Sequence, residues 1–194
     1  MSRLPELRRD QLPAAGQALW DLIVRTRGSR VVTDAGSLSG PFNPMLHAPD
    51  SGEPLASLGA ALRFGSSLDR RLTEVAILTV ASHWQAEFEW SAHARIALEA
   101  GVPAAVVDAI GAGETPPFTA DNERVVHSAA RELTTTGRLG EPSYAATQRL
   151  LGDTGVVELV ELCGYYTLIS FLLNAFDVPL PAGVEPMWAR QRDG

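Results

Sequence analysis

Apolar residues recur at helical spacing along most of the chain, and no segment shows the alternating β-branched pattern of strands. Gly and Pro residues, together with capping residues such as Asp69, separate the periodic segments. The pattern predicts helices over residues 14–25, 53–64, 70–83, 86–100, 103–110, 121–135, 143–151 and 156–176. The chain is therefore predicted to be all-α.

The segment from Gly28 to Asp50 is rich in Gly and Pro and has little periodicity. Long loops inside compact domains are usually functional or disordered. Because its second half mixes apolar groups with Asn43 and His47, we expect this loop to fold over a pocket. Asn43 precedes a proline, so ordinary turn chemistry explains it as well.

The helix predicted over residues 70–83 is apolar on most faces, which indicates a central position. Glu74 is the only acidic residue in its interior. An unpaired buried carboxylate costs several kcal/mol. We therefore expect Glu74 to have a specific partner.

Composition places the chain among ordinary globular proteins, with 194 residues, 45% hydrophobic and 20% charged. Its formal net charge is −7, and the few basic residues near the N-terminus are mixed with acidic ones. Phosphate binding needs clustered Lys and Arg, so a nucleic-acid partner is not expected.

No targeting or membrane segment stands out. The charged N-terminus lacks the apolar run of a signal peptide. The most apolar stretch, Leu162–Leu173, is about half the length of a spanning helix, which is typical of a buried core helix. We expect a cytoplasmic protein without a membrane partner. Cys163 is the only cysteine, so neither a disulfide nor a Cys-x-x-Cys redox pair can form within the chain.

The strongest candidate chemistry is the pair Glu89 and His93. They are four residues apart, so a helix places them on one face within reach of each other. A carboxylate beside an imidazole raises its basicity and fixes its tautomer, which prepares a general base. A surface ion pair is the alternative interpretation of such spacing. The aromatic and aliphatic neighbours of both residues favour a half-buried setting.

These residues also form a recognisable pattern. A Glu, eleven intervening residues, a four-residue Cys-x-x-Cys and a His four beyond it resemble the alkylhydroperoxidase D signature. Glu74 and His93 match its Glu and His, while Ala86 and Glu89 stand at its two cysteines. The run from Ala86 to His93 looks like the variant of carboxymuconolactone decarboxylase-like proteins. The segments 40–49 and 164–176 extend the resemblance over roughly residues 42–181.

The resemblance implies an alkylhydroperoxidase D-like helical bundle forming one domain over residues 1–194. Its parts would be an N-terminal helix and loop (1–50), the family core (51–181) and a C-terminal tail (182–194). The resemblance also implies a homo-oligomer, as a trimer or hexamer. The apolar faces of the last helix, too extensive for one small core to cover, give this expectation a physical motive.

The resemblance implies an enzyme acting on a small carboxylated or lactone substrate from aromatic catabolism. Without the signature cysteines, Glu74, Glu89 and His93 remain as an acid–base set for decarboxylase- or hydratase-type proton transfer. His93 would be the base, Glu89 its orienting or acid partner, and Glu74 the residue that positions both. Such chemistry needs no cofactor. Without a second His at suitable spacing, no metal is expected.

Residues that could line the substrate site are Phe42, Asn43, His47 and Trp90, although core packing explains Trp90 equally well. Two other functions remain open. The chain could be an alkylhydroperoxidase-like oxidoreductase that has lost its redox cysteines, or a non-catalytic helical protein that binds a ligand or serves assembly.

Overall fold

The computed structural model describes residues 2–188 and is all-α, with no strand in that range. Two short 3-10 turns and two isolated β-bridges accompany the helices. The helices are α1 (Ala14–Arg27), α2 (Phe42–Leu46), α3 (Pro49–Phe64), α4 (Arg70–His83), α5 (Glu87–Glu99), α6 (Ala104–Ala112), α7 (Asp121–Thr136) and α8 (Glu141–Ala175). The predicted fold class is confirmed. Residues 189–194 of the predicted C-terminal tail lie outside the described residues.

Most predicted helices begin and end within a few residues of their expected bounds, for local reasons. The side chain of Asp69 accepts the backbone N–H of Arg71, as expected of an N-cap. Gly101 follows α5 with a φ of 89°, which only glycine adopts at little cost. Gly152, with a φ of 68°, interrupts α8, so that residues 141–151 and 153–175 correspond to the two predicted helices.

The predicted long loop is shorter than expected. Residues 42–46 form α2, and α3 begins at Pro49 instead of near Glu53. Proline at the first helical position lacks only an N–H that would have no partner inside the helix, so Pro49 starts the helix rather than preventing it. The Pro-rich composition of this segment concealed both helices.

The described residues divide into two compact units: residues 2–66 with 172–179, and residues 67–171 with 180–188. The first contains α1, α2, α3 and the last residues of α8. The second contains α4 to α7 and most of α8. The sequence predicts one domain over residues 1–194, and this stays a prediction.

In the second unit, α4 packs against α5, α6 and α7, and every residue of α4 from Leu72 to Ala81 is buried. The prediction that this helix is central to its surroundings is confirmed. A cluster that includes Val75, Leu78, Trp90 and Ile110 joins α4, α5 and α6. This core holds α4 and α5 together, and those two helices carry the candidate catalytic residues.

By length and composition, α8 is the one helix among the described residues that could cross a membrane. Half of its most apolar window is buried inside the protein. Core helices of soluble proteins pass the same test, so α8 is weak evidence for a membrane span.

Candidate active site

His93 lies between two carboxylates in the interior of the second unit. Its Nδ1 is 2.6 Å from Oε2 of Glu74, and its Nε2 is 2.9 Å from Oε1 of Glu89. Glu74 comes from the middle of α4, whereas Glu89 and His93 share one face of α5. The structure thus brings together the three residues selected from the sequence. We call them the Glu–His–Glu triad.

The triad is not a surface ion pair. Glu74, Glu89 and His93 are only 2, 5 and 3% exposed. Hydrogen bonds to charged groups are stronger than neutral ones, and they strengthen further where water is excluded. The expected partner of Glu74 is therefore His93.

Two opposing effects act on the protonation of His93. Burial disfavours the charged ring, while hydrogen bonds and charge interactions with Glu74 and Glu89 favour it; together the carboxylates outweigh burial and raise the pKa of His93 above its ordinary value. A protonated ring has one N–H for each carboxylate, which matches the two contacts. At neutral pH we infer an imidazolium held between two carboxylates.

Tyr166 also belongs to the surroundings of His93. This buried residue of α8 presents its ring edge-on to the imidazole, with 5.2 Å between ring centroids and an interplanar angle of 81°. The sequence analysis noted the segment 164–176 only for its resemblance and did not select Tyr166. Its spacing from His93 in the sequence gives no sign of this contact.

Three predicted substrate-binding residues lie in the first unit: Phe42, Asn43 and His47. The Asn43 side chain accepts the backbone N–H of Leu7 and donates to the carbonyl of Pro5. His47 Nε2 is 3.0 Å from the same carbonyl oxygen. These polar atoms therefore hold the N-terminal segment in place. A substrate-binding role for the three residues stays a prediction.

Trp90, the fourth predicted substrate-binding residue, lies in the core of the second unit. It packs edge-on against Trp188, with ring centroids 5.2 Å apart. A Cβ placed on Gly111 would come within 2.7 Å of its ring. These contacts account for Trp90 as a core residue, and its contact with a substrate also stays a prediction.

Cys163 is buried in α8, and burial raises the pKa of its thiol to about 12. The thiolate is the reactive form in peroxide reduction and thiol exchange. The raised pKa keeps Cys163 in the thiol form at neutral pH, which is the less reactive form.

Comparison with known proteins shows a similarity to one family over part of the chain. The carboxymuconolactone decarboxylase family matches residues 49–132, a range that contains the whole triad. These residues are less than half of the chain, and over them the chain is similar to that family. The match confirms the resemblance stated from the sequence for this range. The parts of the resemblance at residues 42–48 and 133–181 lie outside the matched range. None of the curated proteins matches the chain.

Solved structures share its fold. An alkylhydroperoxidase AhpD core, an uncharacterized peroxidase-related protein from Ralstonia eutropha JMP134, superposes with a TM-score of 0.74 at 15% identity, covering 93% of both chains. The debrominase Bmp8 superposes with a TM-score of 0.71 at 17% identity, covering 91% of both chains. A cysteine-to-alanine variant of that debrominase, in complex with 2,3,4-tribromopyrrole, gives 0.72 at 17% identity, covering 94% of this chain and 95% of the other.

At such identities the neighbours show the alkylhydroperoxidase D-like fold alone. The family that matches residues 49–132 takes its name from an enzyme, carboxymuconolactone decarboxylase. This similarity is consistent with an enzymatic activity and does not identify a reaction.

Proposed function

We propose that the protein is a cofactor-independent lyase or isomerase that transfers a proton next to a carbonyl group of a small carboxylated or lactone substrate. The observation that carries the proposal is the buried Glu–His–Glu triad. Burying ionisable groups in an apolar interior costs free energy, and pairing them offsets this cost. A protein that serves only assembly has no need for such a buried cluster, whereas an active site does.

The geometry favours Glu89 as the group that exchanges a proton with the substrate. Both ring nitrogens of His93 are engaged by carboxylates. Glu74 lies in the middle of the buried helix α4, whereas Glu89 lies in the first turn of α5, at the end of its helix. His93 then acts through Glu89: its Nε2–H stabilises the carboxylate or passes a proton to it, while Glu74 holds Nδ1–H. This assignment is an alternative to the roles stated from the sequence, in which His93 is the base and Glu89 its orienting or acid partner.

For an isomerisation, Glu89 removes the proton on the carbon next to the carbonyl. The electron pair of that C–H bond forms an enolate. Glu89 exchanges its proton with solvent and then returns a proton to a carbon of the enolate. For a decarboxylation, the bond to the carboxylate carbon breaks, carbon dioxide leaves, and the electron pair again forms an enolate. The triad then protonates the enolate carbon and regains a proton from water. Neither route consumes an oxidant or a reductant.

The alkylhydroperoxidase alternative has less support. Peroxide reduction in the cysteine-containing branch needs a thiolate and a resolving thiol. Ala86 and Glu89 stand where those cysteines would be, and Cys163 is buried with a raised pKa.

The proposal can be tested with a panel of carboxylated lactones and β-keto acids, followed by NMR in heavy water. Loss of carbon dioxide or incorporation of deuterium next to the carbonyl would report proton transfer. Glu89→Gln and His93→Ala should each lower the rate by about 10²- to 10⁴-fold, the usual contribution of a positioned acid or base. Cys163→Ser should retain the activity of the wild type.

Glu99→Gln is the matched control, because it makes the same change on the same helix at an exposed residue paired only with Arg95. It should leave the rate unchanged. Equal rates for Glu89→Gln and Glu99→Gln would refute the role of Glu89. Loss of activity in Cys163→Ser, with activity retained in His93→Ala, would point instead to a thiol mechanism.

A further inference from the structure

The C-terminal segment of the second unit is bound to the first turn of α5. Both carboxylate oxygens of Glu87 accept backbone N–H groups from this segment, that of Met187 at 2.8 Å and that of Trp188 at 2.7 Å. Because Glu87 is only 6% exposed, these charge-assisted hydrogen bonds are largely shielded from water and are stronger than those on a surface. We call Met187 and Trp188 the C-terminal clamp.

Further contacts hold the C-terminal clamp in place. The indole N–H of Trp188 donates to the carbonyl of Gly111 at 2.9 Å, and its ring packs edge-on against Trp90. A Cβ added to Gly111 would lie 2.6 Å from Cε of Met187 and 2.7 Å from the ring of Trp90. Since glycine weakens a helix interior, this close approach explains why α6 has glycine here. The clamp thus contacts α5 at Glu87 and Trp90, and α6 at Gly111.

The first turn of α5 depends on this external support. The N–H groups of a first turn have no partner inside their helix, and helix ends fray where nothing holds them. The N-cap residue of α5 is Ala86, which has no oxygen on its side chain and makes no capping hydrogen bond. A carboxylate in a first turn usually stabilises its own helix end. Here, both oxygens of Glu87 are directed to the clamp instead.

The clamp and the triad use different faces of the same turn. Glu87 and Trp90 are three residues apart and share the face that the clamp contacts, whereas Glu89 and His93 are four apart and share the face of the triad. Side chains two positions apart on a helix do not face each other, so Glu87 acts on Glu89 through the backbone. His93 lies one turn deeper in the helix, and Glu74 comes from the buried helix α4. Loosening of the first turn should therefore displace Glu89 and leave the contact between Glu74 and His93.

We propose that Glu87 is a positioning residue: by binding the C-terminal clamp, it holds the first turn of α5 where the Glu89 carboxylate meets Nε2 of His93. The consequence for the reaction rate rests on the proposed function, because it assumes that Glu89 exchanges a proton with the substrate. The consequence for the contact between Glu89 and His93 does not, and it can be measured without a substrate.

Nitrogen and proton NMR of labelled histidine would measure that contact. The groups that face the His93 ring are Glu74 of α4, Glu89 of α5 and Tyr166 of α8. In Glu87→Ala the Nε2 signal should shift toward its position in Glu89→Gln, while the Nδ1 signal stays as in the wild type because Glu74 is untouched. The pKa of His93 should fall in the same direction, because one of the two carboxylates that raise it withdraws.

Trp188→Ala weakens the clamp without altering α5 and should shift the same Nε2 signal. Glu87→Gln keeps one acceptor oxygen and should give a smaller shift than Glu87→Ala. The matched control is Glu185→Gln, which changes an exposed carboxylate in the same C-terminal segment and should leave both signals unchanged. Circular dichroism would verify that each variant is folded, and Trp188→Ala decides the test if Glu87→Ala does not fold.

The rate is the second measurement, with the panel of carboxylated lactones and β-keto acids. Glu87→Ala and Trp188→Ala should each lower kcat by about tenfold to a hundredfold, because displacing a catalytic group by about 1 Å costs up to ~10²-fold. Glu185→Gln should retain the rate of the wild type.

Three NMR results would overturn the proposal. The Nε2 signal could stay unchanged in both clamp variants. The Nδ1 and Nε2 signals could change together, which would indicate general loosening. The shift could occur in Glu87→Ala and be absent in Trp188→Ala, which would leave the charge at the helix end as the cause. A wild type inactive on the whole panel, or a shifted Nε2 signal with an unchanged rate, would instead count against the proposed role of Glu89 and leave the positioning by Glu87 standing.

Discussion

At the scale of single residues, the environment of His93 decides what this site can do. An isolated histidine with one carboxylate neighbour is an ordinary general base. Here, Glu74 and Glu89 contact both ring nitrogens, and a protonated ring would donate one N–H to each carboxylate. A proton shared among three paired side chains is what the proposed proton transfer requires.

The raised pKa of His93 leads to a prediction for NMR and for stability. Both ring nitrogens should stay protonated at pH values where a free histidine, with a pKa of 6.5, is neutral. As pH rises above 6.5, the unfolded chain loses this proton before the folded protein does. The contribution of His93 to stability is therefore full below that pH and is lost as pH passes through the folded pKa.

Nitrogen chemical shifts of labelled histidine would check the protonation, and thermal unfolding between pH 6 and 10 would check the stability. His93→Gln should remove this pH dependence. A neutral His93 ring at pH 7 would contradict the charge assignment.

At the scale of elements, local signals set the ends of α4 and α5, the two helices that carry the site residues. The Asp69 carboxylate caps α4 five residues before Glu74. The capped helix is buried from Leu72 to Ala81, so its position is fixed mainly by packing. Removal of the capping hydrogen bond should therefore lower the free energy of unfolding without displacing Glu74.

Asp69→Ala should lower the free energy of unfolding by about 1 kcal/mol, because the N–H of Arg71 loses its acceptor. Asp69→Asn keeps a capping oxygen and should retain most of that stability. Urea unfolding monitored by circular dichroism would measure the difference. Equal losses in the two variants would mean that the cap hydrogen bond is not the cause.

At the scale of the whole molecule, buried acidic residues tie distant parts of the sequence together within one unit. Glu87 is buried in the first turn of α5 and accepts the backbone N–H groups of Met187 and Trp188 at 2.8 and 2.7 Å. The indole N–H of Trp188 donates to the carbonyl of Gly111. The C-terminal segment is thus attached beside the helix that carries Glu89 and His93.

Glu87→Ala should release this attachment. Amide hydrogen exchange at Met187 and Trp188 should become faster by at least tenfold, because two backbone donors lose a charged acceptor. Glu99→Ala, on the exposed side of the same helix, is the control and should leave that exchange unchanged. Protection at residues 187 and 188 that survives in Glu87→Ala would show that the Trp188 contacts suffice to hold the segment.

The sequence alone determined the helical class, most helix positions and the pairing of Glu89 with His93. These features are local: a helix repeats every 3.6 residues, so residues four apart share a face whatever the rest of the chain does. Glu74 was also predicted to have a partner, because an unpaired buried carboxylate is unfavourable. The prediction of a continuous loop over residues 28–50, which rested on its Gly and Pro content, was wrong in its second half. Residues 42–46 form a helix there, and Pro49 begins the next one.

Only the tertiary structure decided which groups from separate elements meet. It placed Glu74 on the Nδ1 side of His93, Tyr166 beside the ring, and Glu87 against the C-terminal segment. It also left Val157, Val160, Leu168 and Phe171 exposed on a helix whose sequence predicts burial. The physical reason is that such contacts depend on how helices pack and cross, and this geometry comes from the fit of many side chains at once.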